Sequence, residues 1–151
     1  MFNKMPTIEI FPGVGLSIIQ FGLVKESIIS LLGEPDKIFE TESGCKRLQY
    51  NELMIELSIE PDNENKFGWL EVHNPNITFG GEKLIGKSKE VVLSKVTKLL
   101  NEEPSIDDYG SFESYDFEKN WVELQFSFNK LNCINFGVFI SESNEVLWPN
   151  N

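Results

Sequence analysis

A chain of 151 residues, 40% of them hydrophobic, buries enough surface to fold without a metal or disulfide staple. Thirteen Lys and Arg against twenty-four Asp and Glu leave a formal net charge of −11, which excludes a phosphate-neutralising nucleic-acid binder and suits a basic protein partner steered in by opposite charge. The two cysteines, Cys45 and Cys133, stand far apart in no metal-ligand spacing and read as reduced thiols that pack as small hydrophobes.

Met1-Phe2-Asn3-Lys4-Met5-Pro6 has no apolar signal core, and no run approaches membrane-spanning length, so the expectation is a cytoplasmic protein. Residues 7–11 alternate as a strand, and Pro12-Gly13-Val14-Gly15 is a turn. Residues 16–21 resume extended chain, and Gly22 punctuates it. The spacing of Val24, Ile28, Leu31 and Leu32 predicts a helix over 23–32 with one buried face, stopped by Gly33 and Pro35. Residues 46–59 read as a long strand broken at Asn51-Glu52. A polar turn at 61–65 follows, and 67–72 returns as the second strand of a hairpin.

Asn74-Pro75-Asn76 is the natural seam. Residues 77–79 are short extended chain and Gly80-Gly81 a turn. Ser88 is placed to cap a helix of about 89–100, with Val92, Val96, Leu99 and Leu100 on one face. The acidic stretch 102–118 reads as a solvated connection. Strands follow near 121–128 and 133–140, and Val146-Leu147-Trp148 forms a terminal apolar flap.

Three blocks recur in the same order. Phe21-Gly22 and Lys25-Glu26 answer Ile85-Gly86 and Lys89-Glu90 sixty-four positions on. Residues 54–59 answer 121–126, and 67–72 answer 134–139, both sixty-seven apart. The reading is one α+β domain, 1–151, built from two half-repeats of about 7–76 and 77–149. Each half is a strand, a helix and an antiparallel hairpin. The halves align into one antiparallel sheet with two main helices on one face, with a two-lobed arrangement as the alternative.

Chemical motifs are sparse. His73 is the only histidine, and a lone imidazole builds neither a histidine-based metal site nor a triad. A thiol–imidazole dyad with Cys45 would need an approach that nothing in the sequence signals. Residues 81–88, Gly-Glu-Lys-Leu-Ile-Gly-Lys-Ser, match a P-loop by letter. Bulky Leu84 and Ile85 lie where backbone amides should wrap phosphate, and the counterpart Gln20-Phe21-Gly22 has no such motif. They read as core residues entering a helix, and nucleotide binding is the lesser alternative. Asp62-Asn63-Glu64-Asn65 lacks the glycine and glutamate of a calcium loop and reads as a turn. The expectation is therefore no catalytic residue, no cofactor and no metal.

One charge concentration stands out. Within 102–118, seven carboxylates are interleaved with Tyr109, Phe112, Tyr115 and Phe117, and no Lys or Arg interrupts them. Carboxylates attract a cationic partner and aromatic rings anchor it. The candidate partner-binding residues are Glu102, Glu103, Asp107, Asp108, Tyr109, Glu113 and Asp116. The matching connection of the first half carries Lys37, Lys46 and Arg47, so the halves differ in charge there.

Ile10-Phe-Pro-Gly-Val-Gly-Leu16, Phe21-Gly22, Leu32-Gly-Glu-Pro-Asp36, Val72-His-Asn-Pro-Asn-Ile77 and Lys83-Leu-Ile-Gly86 together resemble immunity proteins of polymorphic-toxin neighbourhoods, including those of contact-dependent growth inhibition systems. The resemblance spans most of the chain and rests on turns and helix starts. It implies a cytoplasmic, non-enzymatic protein that binds and neutralises one cognate toxin domain, often a nuclease, and it carries over no catalytic residue. A structural or regulatory interaction module is the alternative. The oligomeric state is open.

Overall fold

The computed structural model describes residues 7–149; the segment Met1 to Pro6, read above for targeting, lies outside the described residues. Three short strands come first, β1 (Glu9–Phe11), β2 (Gly15–Leu16) and β3 (Ile19–Gln20), followed by helix α1 (Lys25–Leu32). Then come β4 (Lys37–Glu40), β5 (Lys46–Tyr50), β6 (Ile55–Glu60) and β7 (Lys66–Val72). The second half adds β8 (Thr78–Phe79), β9 (Glu82–Lys83), helix α2 (Lys89–Leu100), β10 (Ser105–Asp108), β11 (Glu113–Phe117), β12 (Val122–Ser127) and β13 (Lys130–Gly137).

The long strands form one eight-stranded sheet in the order β10-β11-β12-β13-β7-β6-β5-β4, antiparallel throughout. The short strands form a five-stranded sheet, β3-β2-β1-β8-β9, in which β1 and β8 run parallel. The chain is thus mixed α+β with two helices and large antiparallel sheets. Among the described residues, no helix is long and apolar enough to cross a membrane.

Alternation along the strands divides the eight-stranded sheet into two faces. Leu48, Leu57, Leu70, Ile134, Leu124, Tyr115 and Phe117 point to one face and are buried. Ile28 of α1 and Val92 and Val96 of α2 join the same apolar cluster. Tyr50 on that face donates to the carbonyl of Gly33 at the end of α1, and Lys89 of α2 pairs with Glu113 on the same face. Both helices therefore cover one side of the sheet. Phe21 sits between Phe67 and Phe136, with ring centroids 4.9 and 5.5 Å apart, across the β7–β13 pair. Such pairs add about 0.5–1.5 kcal/mol each beyond area burial.

Local differences from the sequence reading have physical causes. The stretch 102–118 is not a solvated connection: most of it is the β10–β11 hairpin, held by ladder pairing where apolar alternation is weak. Helix α1 starts at Lys25, because Val24 is still extended and only its carbonyl joins the helix. Its buried stripe is narrower than spacing implies: Ile28 is fully buried, while Leu31 is 60% exposed. Helix α2 has the expected bounds, yet Ser88 at its N-cap makes no capping bond through its side chain. Residues 51–54 do interrupt the long strand, and Trp148 folds back so that its indole N–H reaches Glu64 at 3.2 Å.

Candidate functional site

The face of the sheet opposite the helices is polar. Strand register lines up Gln49, Glu56, Glu71, Asn135, Glu123, Asp116 and Ser105 as one row crossing seven strands. The row beside it is Arg47, Ser58, Trp69 and Gly137, and it continues to Trp121, whose carbonyl accepts from Gly137 N at 3.0 Å. Each side chain is sent to this face by the two-residue period of its strand.

Carboxylates dominate the open face. Arg47 Nη1 lies 3.0 Å from Glu56 and 3.0 Å from Glu71. Burial, and then the neighbouring Glu56, push Glu71 up to about 7 despite the guanidinium. Glu123 accepts from Asn135 Nδ2 at 2.8 Å and from the Ser114 hydroxyl. Burial, and then Glu123, raise Asp116 above the usual carboxylate range. These groups sit close together without enough cations to neutralise them.

A groove of about 420 Å³ opens beside this row. Its walls are Trp69 and Trp121, and Asp116, Glu118 and Glu123 line it; no Lys or Arg is among the lining residues. Gly137 lies in the row between the two tryptophans. A Cβ there would come within 2.5 Å of Trp69 Cε3, so the glycine leaves room for the ring to lie flat. Trp121 has φ +54, a left-handed conformation costing a bulky residue on the order of 1–2 kcal/mol. The turn Glu118–Asn120 before it is pinned by Glu102, which accepts from Lys119 N at 2.9 Å and from Asn120 Nδ2 at 2.8 Å.

The seven candidate residues do not form one patch. Asp116 lines the groove. Asp107 pairs with Ser114 and shares the open face. Asp108 and Glu113 fall on the helix side; Asp108 accepts from Gly110 N at 2.8 Å in the hairpin turn, and Glu113 is 2.7 Å from Lys89. Glu102 supports the turn as described, and Glu103 is exposed beyond the end of α2. Tyr109 is exposed and stacks on Phe112 at 4.9 Å. Trp69, Trp121, Glu118 and Glu123 were not among the candidates. One signal pointed their way: Glu56 and Glu123 occupy the same place in the matched blocks Ile55-Glu56-Leu57 and Val122-Glu123-Leu124, which puts both on the face away from the core.

The P-loop match is taken apart by geometry. Gly81 is the turn of the β8–β9 hairpin, and its N–H donates to the Glu9 carboxylate at 3.1 Å. Gly86 N donates to Leu131 O at 2.8 Å, Lys87 N to Leu84 O at 3.0 Å and Lys89 N to Asn129 O at 2.9 Å. Leu84 is fully buried. Amides that would cradle phosphate are already used. The thiol nearest His73 is also not the one considered from sequence: Cys133 Sγ lies 3.7 Å from His73 Nε2, brought there by the β7–β13 pairing.

No family model and no curated protein matches the chain. Among solved structures, its fold is similar to an extracellular protein containing an SCP domain from Bacillus anthracis str. Ames, at 13% identity with a TM-score of 0.55. The match covers 91% of this chain and 48% of that one, so the chain spans about half the length of the protein it matches. At this identity the likeness is one of fold.

Proposed function

We propose that this chain is a non-catalytic binding module that seats a cationic segment of a protein partner on the open face of its sheet. The observation that carries the reading is the groove between Trp69 and Trp121, bordered by Asp116, Glu118 and Glu123 with no basic residue in its lining. A Lys or Arg side chain over an indole face gains about 0.5–2 kcal/mol, and tryptophan is a frequent anchor of binding energy. The net charge of −11 speeds the approach of a basic partner. The resemblance to immunity proteins names the partner class: a basic toxin domain, neutralised by stoichiometric blocking in the cytoplasm.

The chain is further read as two diverged copies of one unit, whose seam is the β7–β13 pair. Several features support this. Each half runs through short strands, a helix and a four-strand meander, and the sheet order is symmetric about the seam. β-Bulges fall after Ser58 and after Gln125, sixty-seven positions apart. Left-handed Met54 and Trp121 share that offset, whereas left-handed Glu64 and Asn65 answer Phe128 and Asn129 at sixty-four. The offset drops where the first hairpin carries the extra turn Pro61–Asn63. On this register 67–72 answers 131–136 instead of 134–139.

The test is a tryptophan-fluorescence titration with a nonaarginine peptide. A saturable change, weakened by salt and lost in Trp121→Ala, supports the reading; no response, or an equal response to nonaglutamate, contradicts it. A second reading takes its support from the fold likeness: an interaction module within a larger extracellular protein that has no toxin partner. Sequencing the flanking genes and co-expressing any toxin domain found there separates the two, since rescue of growth favours immunity, and no toxin gene or no rescue favours the second reading.

A further inference from the structure

Beyond the groove, the open face gathers three donors of a kind that proteins use to hold transition metals. Glu71 and His73 alternate along the β7 direction and leave the same face of the sheet. Val72 pairs with Ile134, which sets His73 opposite Cys133. A carboxylate, an imidazole and a thiol result, with ligand atoms all within 4.8 Å of one another. We propose that Glu71, His73 and Cys133 form a three-donor site for a transition-metal dication of the zinc type.

The geometry is close to what the ion requires. Cys133 Sγ and His73 Nε2 are 3.7 Å apart. A tetrahedral centre with sulfur at about 2.3 Å and nitrogen at about 2.1 Å separates those atoms by about 3.6 Å. Sulfur and imidazole together select zinc or cobalt over magnesium and calcium, which take oxygen shells. An outer contact holds the carboxylate. Arg47 binds Glu71 through Oε2 at 3.0 Å and fixes that carboxylate, whereas the bond that Cys133 donates to Asn135 Oδ1 at 3.0 Å is given up when the thiol loses its proton to the incoming ion. Partners such as Arg47 orient metal ligands.

Access is from the His73 side. The imidazole is exposed, and it borders a cavity of about 350 Å³ that Gln49, Asn51 and Glu56 also line. A water molecule or a partner's side chain completes the coordination from there. Binding exchanges the thiol proton for the metal ion and releases that proton to solvent.

The test is a titration of the full chain with Co²⁺, following the near-ultraviolet thiolate-to-cobalt charge-transfer band. The site predicts a band that saturates at one equivalent, is displaced by Zn²⁺ and is unchanged in Cys45→Ser. Cys133→Ser should abolish it. His73→Ala should weaken cobalt affinity about tenfold or more. Because His73 is exposed, that variant keeps its fold, checked by far-ultraviolet circular dichroism, even where Cys133→Ser does not. No band, a band indifferent to His73→Ala, or a band lost in Cys45→Ser overturns the site.

Discussion

Glu56 and Glu71 face each other directly across β6 and β7, and both reach the same nitrogen of Arg47, at 3.0 Å each. One guanidinium serves two partly buried carboxylates, and Glu71 is driven up to about 7, by burial first and by Glu56 second. The folded state therefore holds this proton to higher pH than the unfolded chain does. Stability falls as pH rises from about 4.5 to about 7, because folding then opposes ionisation. Glu71→Gln should flatten that slope and gain on the order of 1–2 kcal/mol at pH 8, the full shift being discounted for partial solvation. Urea unfolding at pH 5 and pH 8, in EDTA so that no metal intervenes, measures both profiles. Equal slopes in the two proteins contradict the assignment.

Gly137→Ala tests the seat of Trp69, one wall of the groove. The new methyl would lie 2.5 Å from Trp69 Cε3 and 3.2 Å from Gly68 O. Overpacking of this kind costs about 1–3 kcal/mol. The Trp69 ring must lift, so the response to nonaarginine should drop while the far-ultraviolet spectrum stays native.

Charge placement matters more than charge count. Asp107→Lys acts on the open face; Glu90→Lys acts at an exposed position of α2, on the other side of the sheet. Both change the net charge equally. Only the first should markedly weaken nonaarginine binding and reduce its salt dependence, as read from titrations at two ionic strengths. Equal weakening would assign the effect to overall charge.

The aromatic contact beside the β7–β13 pair should couple the strands on its two sides energetically. Phe136 is fully buried and meets Phe21 at 5.5 Å, and Phe21 meets Phe67 at 4.9 Å. Phe136→Ala should cost about 3–5 kcal/mol. Hydrogen exchange should accelerate together in β6 and β12, which flank the β7–β13 pair on either side. Acceleration confined to β12 would show the two sides of the sheet to be independent.

Elements with strong periodicity were legible. The bounds of α2 follow from Val92, Val96 and the punctuation around them, and the break at 51–54 follows from Asn51-Glu52. β10 was not legible, since Ser-Ile-Asp-Asp has no strand preference and becomes extended only through β11. That single miss scattered the candidate site, because alternation sends Asp107 and Asp116 to one face and Asp108 and Glu113 to the other. Trp121 gave no local sign of its left-handed backbone. His73 and Cys133 meet only because β7 pairs with β13, a register that depends on the whole sheet.

On the function proposed above, the open face, and not the helix-covered face, receives a cationic partner. The most direct measurement is an amide and indole NMR map of isotopically labelled chain titrated with nonaarginine. The largest shifts should fall on the indoles of Trp69 and Trp121 and on the amides of Asp116, Glu118 and Glu123, with α1 and α2 still. Shifts centred on the helices, or on the Tyr109–Phe112 hairpin tip alone, would contradict that function.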